Sequence, residues 1–271
     1  MNFLPTSVAA CCLSLACNAF AGSQIQNIDR HNVELEQLDS PASNKVVVFE
    51  NGARETLDTW DKVVAAIKGD VTVFAYNRPG YGQSDETNSA RDGRTVVEEL
   101  RKTLRQRGLK PPYVLVGHSL GGLYMQFFAR TYPDEVAGLV LVDSLYPGVV
   151  KRPEEFPLYA RIAKSVLLRR AVSREIDQIH TTGEEVLGIP MADRIPVERL
   201  INIPTTPGAI AVDFGAINYG PELIAMINGL YPNAKTTVVD SDHKIQVQNP
   251  EVVVAAIRRI TAEKTANSHQ E

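Results

Sequence analysis

Four short stretches of this chain are apolar almost without interruption: residues 45–49 (KVVVF), 71–76 (VTVFAY), 113–116 (YVLV) and 138–142 (GLVLV). Successive side chains of a strand point to opposite faces, so a strand with one face in water alternates polar and apolar residues. A run that does not alternate is covered on both faces, as in a parallel sheet between helices. Between the runs the pattern becomes helical. Residues 95–107 put Val96, Val97, Leu100 and Leu104 on one side and charges on the other, and Gly108 follows as a C-terminal cap. Residues 123–131 read as a further helix, with Pro133 marking its end. Residues 236–239 read as a last strand, and 250–261 as a last helix with Pro250 in its first turn. Residues 33–38 (VELEQL) do alternate, and are expected to form an antiparallel edge strand. Strand, turn and helix in repetition specify an α/β fold with a mostly parallel, doubly wound sheet and right-handed crossovers. Ligands of such sheets sit beyond the carboxyl ends of the strands.

Residues 144–203 break this rhythm. They are charged, contain several prolines, and have helical stretches at about 157–170 and 173–180. A helical cap inserted after the sixth strand is expected there. The expected division is a core at 22–143, the cap at 144–203, a second core part at 204–264 with a short strand at 209–212, and a flexible tail at 265–271. The first 21 residues contain no Asp, Glu, Lys or Arg, have an apolar run at 8–16, and end in Ala19-Phe20-Ala21. That pattern reads as a signal peptide cleaved after Ala21, hence an exported, periplasmic or secreted protein. A packed or disordered N-terminal extension on a cytoplasmic protein, or a lipoprotein anchored at Cys17, are the alternatives. All three cysteines (Cys11, Cys12, Cys17) lie in this segment, so the mature chain is expected to hold no disulfide and no thiolate metal ligand. No histidine–carboxylate cluster has metal-ligand spacing, and no metal is expected. The net charge of −4 argues against a nucleic-acid partner. No stretch approaches the roughly 20 apolar residues that span a bilayer, so membrane association is expected only if Cys17 carries a lipid.

Residues 113–122 read YVLVGHSLGG. The apolar run stops at Gly117, and Ser119 has a glycine two positions away on each side. A strand that turns at once into a helix strains its turning residue, and side chains two places before and after it would collide. The pattern G-x-S-x-G is the nucleophile elbow, which lifts a serine hydroxyl clear of the sheet. The helix start behind it favours developing negative charge. Such a hydroxyl needs a base, and the base needs an orienting group. Of the five histidines, His31 precedes the sheet, His180 lies in the cap and His269 in the tail. His118 is too close in sequence to fold back on Ser119. His243, after the last strand, remains.

These motifs together resemble the α/β-hydrolase fold superfamily. The resemblance rests on GHSLGG, on NRPGYGQS at 77–84, on AGLVLVD at 137–143 and on SDHKIQVQNPEVVVAAI at 241–257, and covers nearly all of residues 30–262. It implies His243 as the base. It offers two positions for the acid: Asp143, after the strand before the cap, and Asp213, after the strand that follows it. Asp143 is preferred, because the stretch after Asp213 lacks the G-x-x-D pattern of a post-cap acid loop. Asp240 and Asp242 are too close to His243 in sequence to reach the far side of its ring. The resemblance implies oxyanion donors at the backbone N–H groups of Leu120, after the serine, and Ala53, in the turn after KVVVF. Where the family often writes His-Gly in that turn, this chain has Asn51-Gly52. Branches with E-x-G followed by a tryptophan look similar, and Trp60 fits them.

The function this implies is a carboxylesterase-like serine hydrolase, cleaving an ester, thioester, lactone or activated amide of a small molecule through an acyl-enzyme, with no cofactor. A serine at the elbow argues against relatives that use aspartate there, the epoxide hydrolases and haloalkane dehalogenases. The alternatives are a ligand-binding or receptor protein on the same fold with weak or no turnover, and a carbon–carbon bond hydrolase. Phe156, Leu158, Tyr159, Ile162, Val166 and Leu167 of the cap are expected mostly to pack it on the sheet; lining an acyl pocket is the alternative.

Overall fold

The computed structural model describes residues 22–202 and 221–263. The expected signal segment, Asp213 with its 209–212 strand, and the 265–271 tail lie outside the described residues. In chain order the elements are β1 (Gln24–Ile28), β2 (His31–Leu38), β3 (Val46–Glu50), α1 (Asp61–Ile67), β4 (Thr72–Tyr76), α2 (Gly93–Gln106), β5 (Tyr113–His118) and α3 (Leu120–Thr131). There follow β6 (Val136–Val142), α4 (Leu158–Leu167), α5 (Arg170–Leu187), β7 (Val197–Asn202), α6 (Pro221–Leu230), β8 (Lys235–Val239), α7 (Ile245–Gln248) and α8 (Pro250–Glu263). The strands form one sheet in the order β1-β2-β4-β3-β5-β6-β7-β8. From β4 to β8 all neighbours are parallel; β1 and β2 join antiparallel at one edge.

The unbroken apolar runs are explained by the layers. Val46 and Val48 of β3 face a core shared with Leu100, Leu123 and Phe127, whereas Val47 and Phe49 face one shared with Trp60, Val63 and Ile257. Alternate residues therefore enter opposite cores, and both faces of the strand are dry. α2 begins where Asp92 caps it, accepting from the Thr95 N–H at 2.9 Å.

Three expectations are corrected. The alternating strand β2 is not the edge, because β1 pairs outside it through a two-residue turn at Asp29 and Arg30, with φ of 55° and 67°. Tight hairpin turns of this kind are usually announced by Asn-Gly or Asp-Gly, and Asp-Arg hides the hairpin. The sheet also resumes at Val197, inside the span read as cap, since β7 pairs with both β6 and β8. Its sequence, VERLIN, reads as polar, yet Glu198 and Arg199 are buried. Arg259 pairs with Glu198 at 2.7 Å, and Arg199 donates to the Tyr146 hydroxyl at 3.1 Å. Finally, Leu158, Tyr159, Ile162, Val166 and Leu167 do not pack the cap on the sheet. They are 55–77% exposed on α4, and Phe156 alone of that set is buried.

Candidate active site

β5 ends at His118 and α3 starts at Leu120, which leaves Ser119 to make the whole turn. It does so at φ 51° and ψ −121°, a conformation that costs a non-glycine residue about 1–3 kcal/mol. The surroundings hold it there. The Ser119 N–H donates to Val142 O at 3.2 Å, and its carbonyl accepts from the N–H groups of Gly122 and Leu145 at 3.0 and 2.9 Å. The flanking glycines are required by space. A Cβ on Gly117 would lie 2.6 Å from the Gly122 Cα, and one on Gly121 would lie 2.5 Å from the Asn51 carbonyl oxygen.

Asp143 follows β6 at the same carboxyl edge, also with positive φ (38°). Its N–H donates to Leu200 O at 2.8 Å, and its Oδ1 accepts from the Asn202 N–H at 3.2 Å. The remaining oxygen, Oδ2, is 2.7 Å from His243 Nδ1. Half of the His243 side-chain surface reaches solvent. A carboxylate on Nδ1 selects the tautomer with hydrogen there, leaving the lone pair on Nε2. Desolvation would push the His243 pKa down. The hydrogen bond and charge of Asp143, aided by Glu55 and Asp242, outweigh it and hold the ring above the ordinary 6.5. Asp242 itself turns to the Lys244 N–H, at 2.7 Å.

His118 has a use that its sequence position did not suggest. Its ring lies 4.6 Å, centroid to centroid, from that of His243. Its Nδ1 is 2.7 Å from Glu55 Oε2, and its Nε2 is 2.7 Å from the His243 carbonyl oxygen. Both partners only accept, so a neutral ring can donate to one of them and a protonated ring to both. Lys244 reaches the other oxygen of Glu55 at 3.2 Å. Burial alone would raise the Glu55 pKa. The hydrogen bond and charge of His118, followed by Lys244, bring it down to about 2. The pair thus ties the elbow to the turn that carries His243.

The turn after β3 lies beside the elbow, because β3 and β5 are parallel neighbours with Glu50 opposite Gly117. Asn51, which departs from the family pattern, anchors this turn. Its Nδ2 donates to Tyr76 O at 2.9 Å and Asn77 Oδ1 at 3.2 Å, and its Oδ1 accepts from the Trp60 indole at 2.8 Å. Trp60 is thereby a support for the turn. Ala53 follows in the same turn and packs against the core, while Leu120 opens α3 directly after the serine. Glu50, Arg78 and Glu175, each fully buried, also meet here. Nothing in the local sequence around Glu175 marks it; Arg78 sat in the NRPGYGQS motif, and Glu50 in E-N-G-A, without a visible partner.

The sheet order, the strained serine between β5 and α3, and the aspartate–histidine pair at the strand ends define a class. The family model of the α/β hydrolase fold matches residues 45–222, and the chain belongs to that family. YqjL, an uncharacterised protein of Bacillus subtilis (strain 168), is 32% identical over 102 residues, covering 38% of this chain and 40% of YqjL. The chain thus spans less than half the length of that relative. Among solved structures, the enol-lactonase from Burkholderia xenovorans LB400 superposes with a TM-score of 0.69 at 12% identity, covering 88% of this chain and 99% of the lactonase. A thermophilic esterase from Thermogutta terrifontis superposes with a TM-score of 0.65 at 18% identity, covering 90% and 99%. At these identities the likeness is one of fold.

Proposed function

We propose that this hydrolase is a serine hydrolase of small acyl compounds, acting on an ester, thioester, lactone or activated amide through an acyl-enzyme. The observation that carries this reading is the 2.7 Å contact of His243 Nδ1 with Asp143 Oδ2, at the strand ends that also present Ser119 in its strained turn. His243, with its lone pair on Nε2, takes the Ser119 proton as Oγ attacks the carbonyl carbon. Asp143 orients the ring and stabilises the imidazolium. The N–H groups of Ala53 and Leu120 hold the oxyanion, where each such donor contributes about 10²–10³ in rate. His243 then protonates the leaving group. It next activates a water, which attacks the acyl carbonyl and releases Ser119. The esterase and the enol-lactonase that share the fold are named for reactions of this acyl type.

The test combines a panel of p-nitrophenyl esters with a fluorophosphonate label. The wild-type chain should hydrolyse short esters and take up one label, and Ser119→Ala should do neither. Wild-type protein that neither labels nor turns over any ester would point instead to a binding protein on this fold.

A further inference from the structure

We propose that Glu175 and Arg78 are positioning residues through which the cap aims the oxyanion-binding peptide. The inference rests on the serine-hydrolase reading above and adds a role for the cap.

Glu175 lies on α5, in the cap, and is 0% exposed. A carboxylate so placed must be paired, and its partners all come from the core. Arg78 Nε donates to its two oxygens at 3.1 and 3.2 Å, Arg91 Nη2 to Oε1 at 3.0 Å, and the Tyr81 hydroxyl to Oε2 at 2.6 Å. The opposite edge of Arg78 faces the turn after β3. Nη1 donates to Glu50 Oε1 at 2.5 Å and to Asn51 O at 2.7 Å, and Nη2 donates to Gly52 O at 3.2 Å. The Arg78 guanidinium also lies over the Tyr81 ring, 4.3 Å from its centroid.

A guanidinium is a rigid planar fork, so its edges cannot be aimed independently. Holding Nε on the cap carboxylate sets where the Nη groups meet the turn. The last of those contacts is on the peptide that joins Gly52 to Ala53. Its carbonyl and N–H lie in one plane and point in opposite directions, because the peptide is planar and trans. Drawing the Gly52 oxygen toward Arg78 therefore aims the Ala53 N–H away from it. The elbow closes the other side, since the Glu50 and Asn51 carbonyls already crowd Gly121. The turn is thus held between the elbow and an arginine whose own anchor is in the cap. In this chain the cap sets the direction of one oxyanion donor.

The experiment compares the full-length wild type with Glu175→Gln on a carboxylic ester and on its thionoester, in which sulfur replaces the carbonyl oxygen. Sulfur is the weaker hydrogen-bond acceptor and sits farther out, so well-aimed donors favour the oxygen ester. Removing the charge that holds Arg78 should lower kcat on the oxygen ester roughly 10-fold, toward the loss of one donor. KM should stay within about 2-fold, and the oxygen-to-sulfur rate ratio should fall roughly 5-fold or more. Loss of properly folded protein alone would lower both rates together. A folded Glu175→Gln variant with unchanged kcat, or with an unchanged ratio, overturns the proposal. If Glu175→Gln does not fold, Tyr81→Phe keeps both charges, removes one bond to Glu175, and should lower the ratio in the same direction. An unchanged ratio in that variant also overturns the proposal. Wild type that turns over neither ester overturns the hydrolase reading and this one with it; an active wild type with an unmoved ratio in the variants overturns this one alone.

Discussion

Glu55→Gln tests the clamp between the elbow and the His243 turn. In the fold the Glu55 carboxyl is brought from the ordinary 4.5 down to about 2 by His118 and Lys244, against the effect of burial. Its side chain is only 9% exposed, so solvent screens the pair little. At about 1.36 kcal/mol per pH unit, that difference corresponds to a contribution on the order of 3 kcal/mol at neutral pH. The folded-state value is the lower one, so this stability is present in full above the unfolded value. It is lost as the pH falls through the folded value. About half should remain at pH 3. The assay is urea unfolding of wild type and Glu55→Gln at pH 7 and pH 3. The variant should be less stable by about 3 kcal/mol at pH 7, or roughly 6–12 °C in Tm, and the gap should narrow by about half at pH 3. A gap below about 1 kcal/mol at pH 7, or one of equal size at both pH values, would refute the charged clamp.

Three further outcomes are expected. kcat/KM on an ester should rise with pH through a value above 6.5, because Asp143, Glu55 and Asp242 hold the His243 ring protonated longer; a midpoint at or below 6.5 contradicts the pairing. Asp143→Asn should move that midpoint down and lower kcat by about 10⁴-fold, since the ring loses both its tautomer and its charge partner; stopped assays with concentrated enzyme can read such a loss. Gly121→Ala should destabilise by about 3 kcal/mol or more, because its Cβ meets the backbone carbonyls of Glu50 and Asn51 and no side chain can swing aside. A thermal midpoint within about 3 °C of wild type would show that the turn yields after all.

The apolar runs and G-x-S-x-G could be read from the sequence because each is a local rule. Burial on both faces writes itself into consecutive residues such as Val46 to Phe49, and a strand-to-helix turn demands small residues at fixed offsets from Ser119. What the local pattern left open was partnership. Asp143 and Asp213 both stood as candidates for His243; Asp143 Oδ2 lies 2.7 Å from its ring, across 100 residues of sequence, while Asp213 lies outside the described residues. VERLIN and Glu175 carry no local sign of burial, because a charge belongs in water unless a partner neutralises it, and that partner, Arg259 for Glu198 or Arg78 for Glu175, arrives from a distant segment. Residue pattern records whether a side chain is buried by its own chemistry; burial by pairing depends on which segments the fold brings together, and that is decided only in three dimensions.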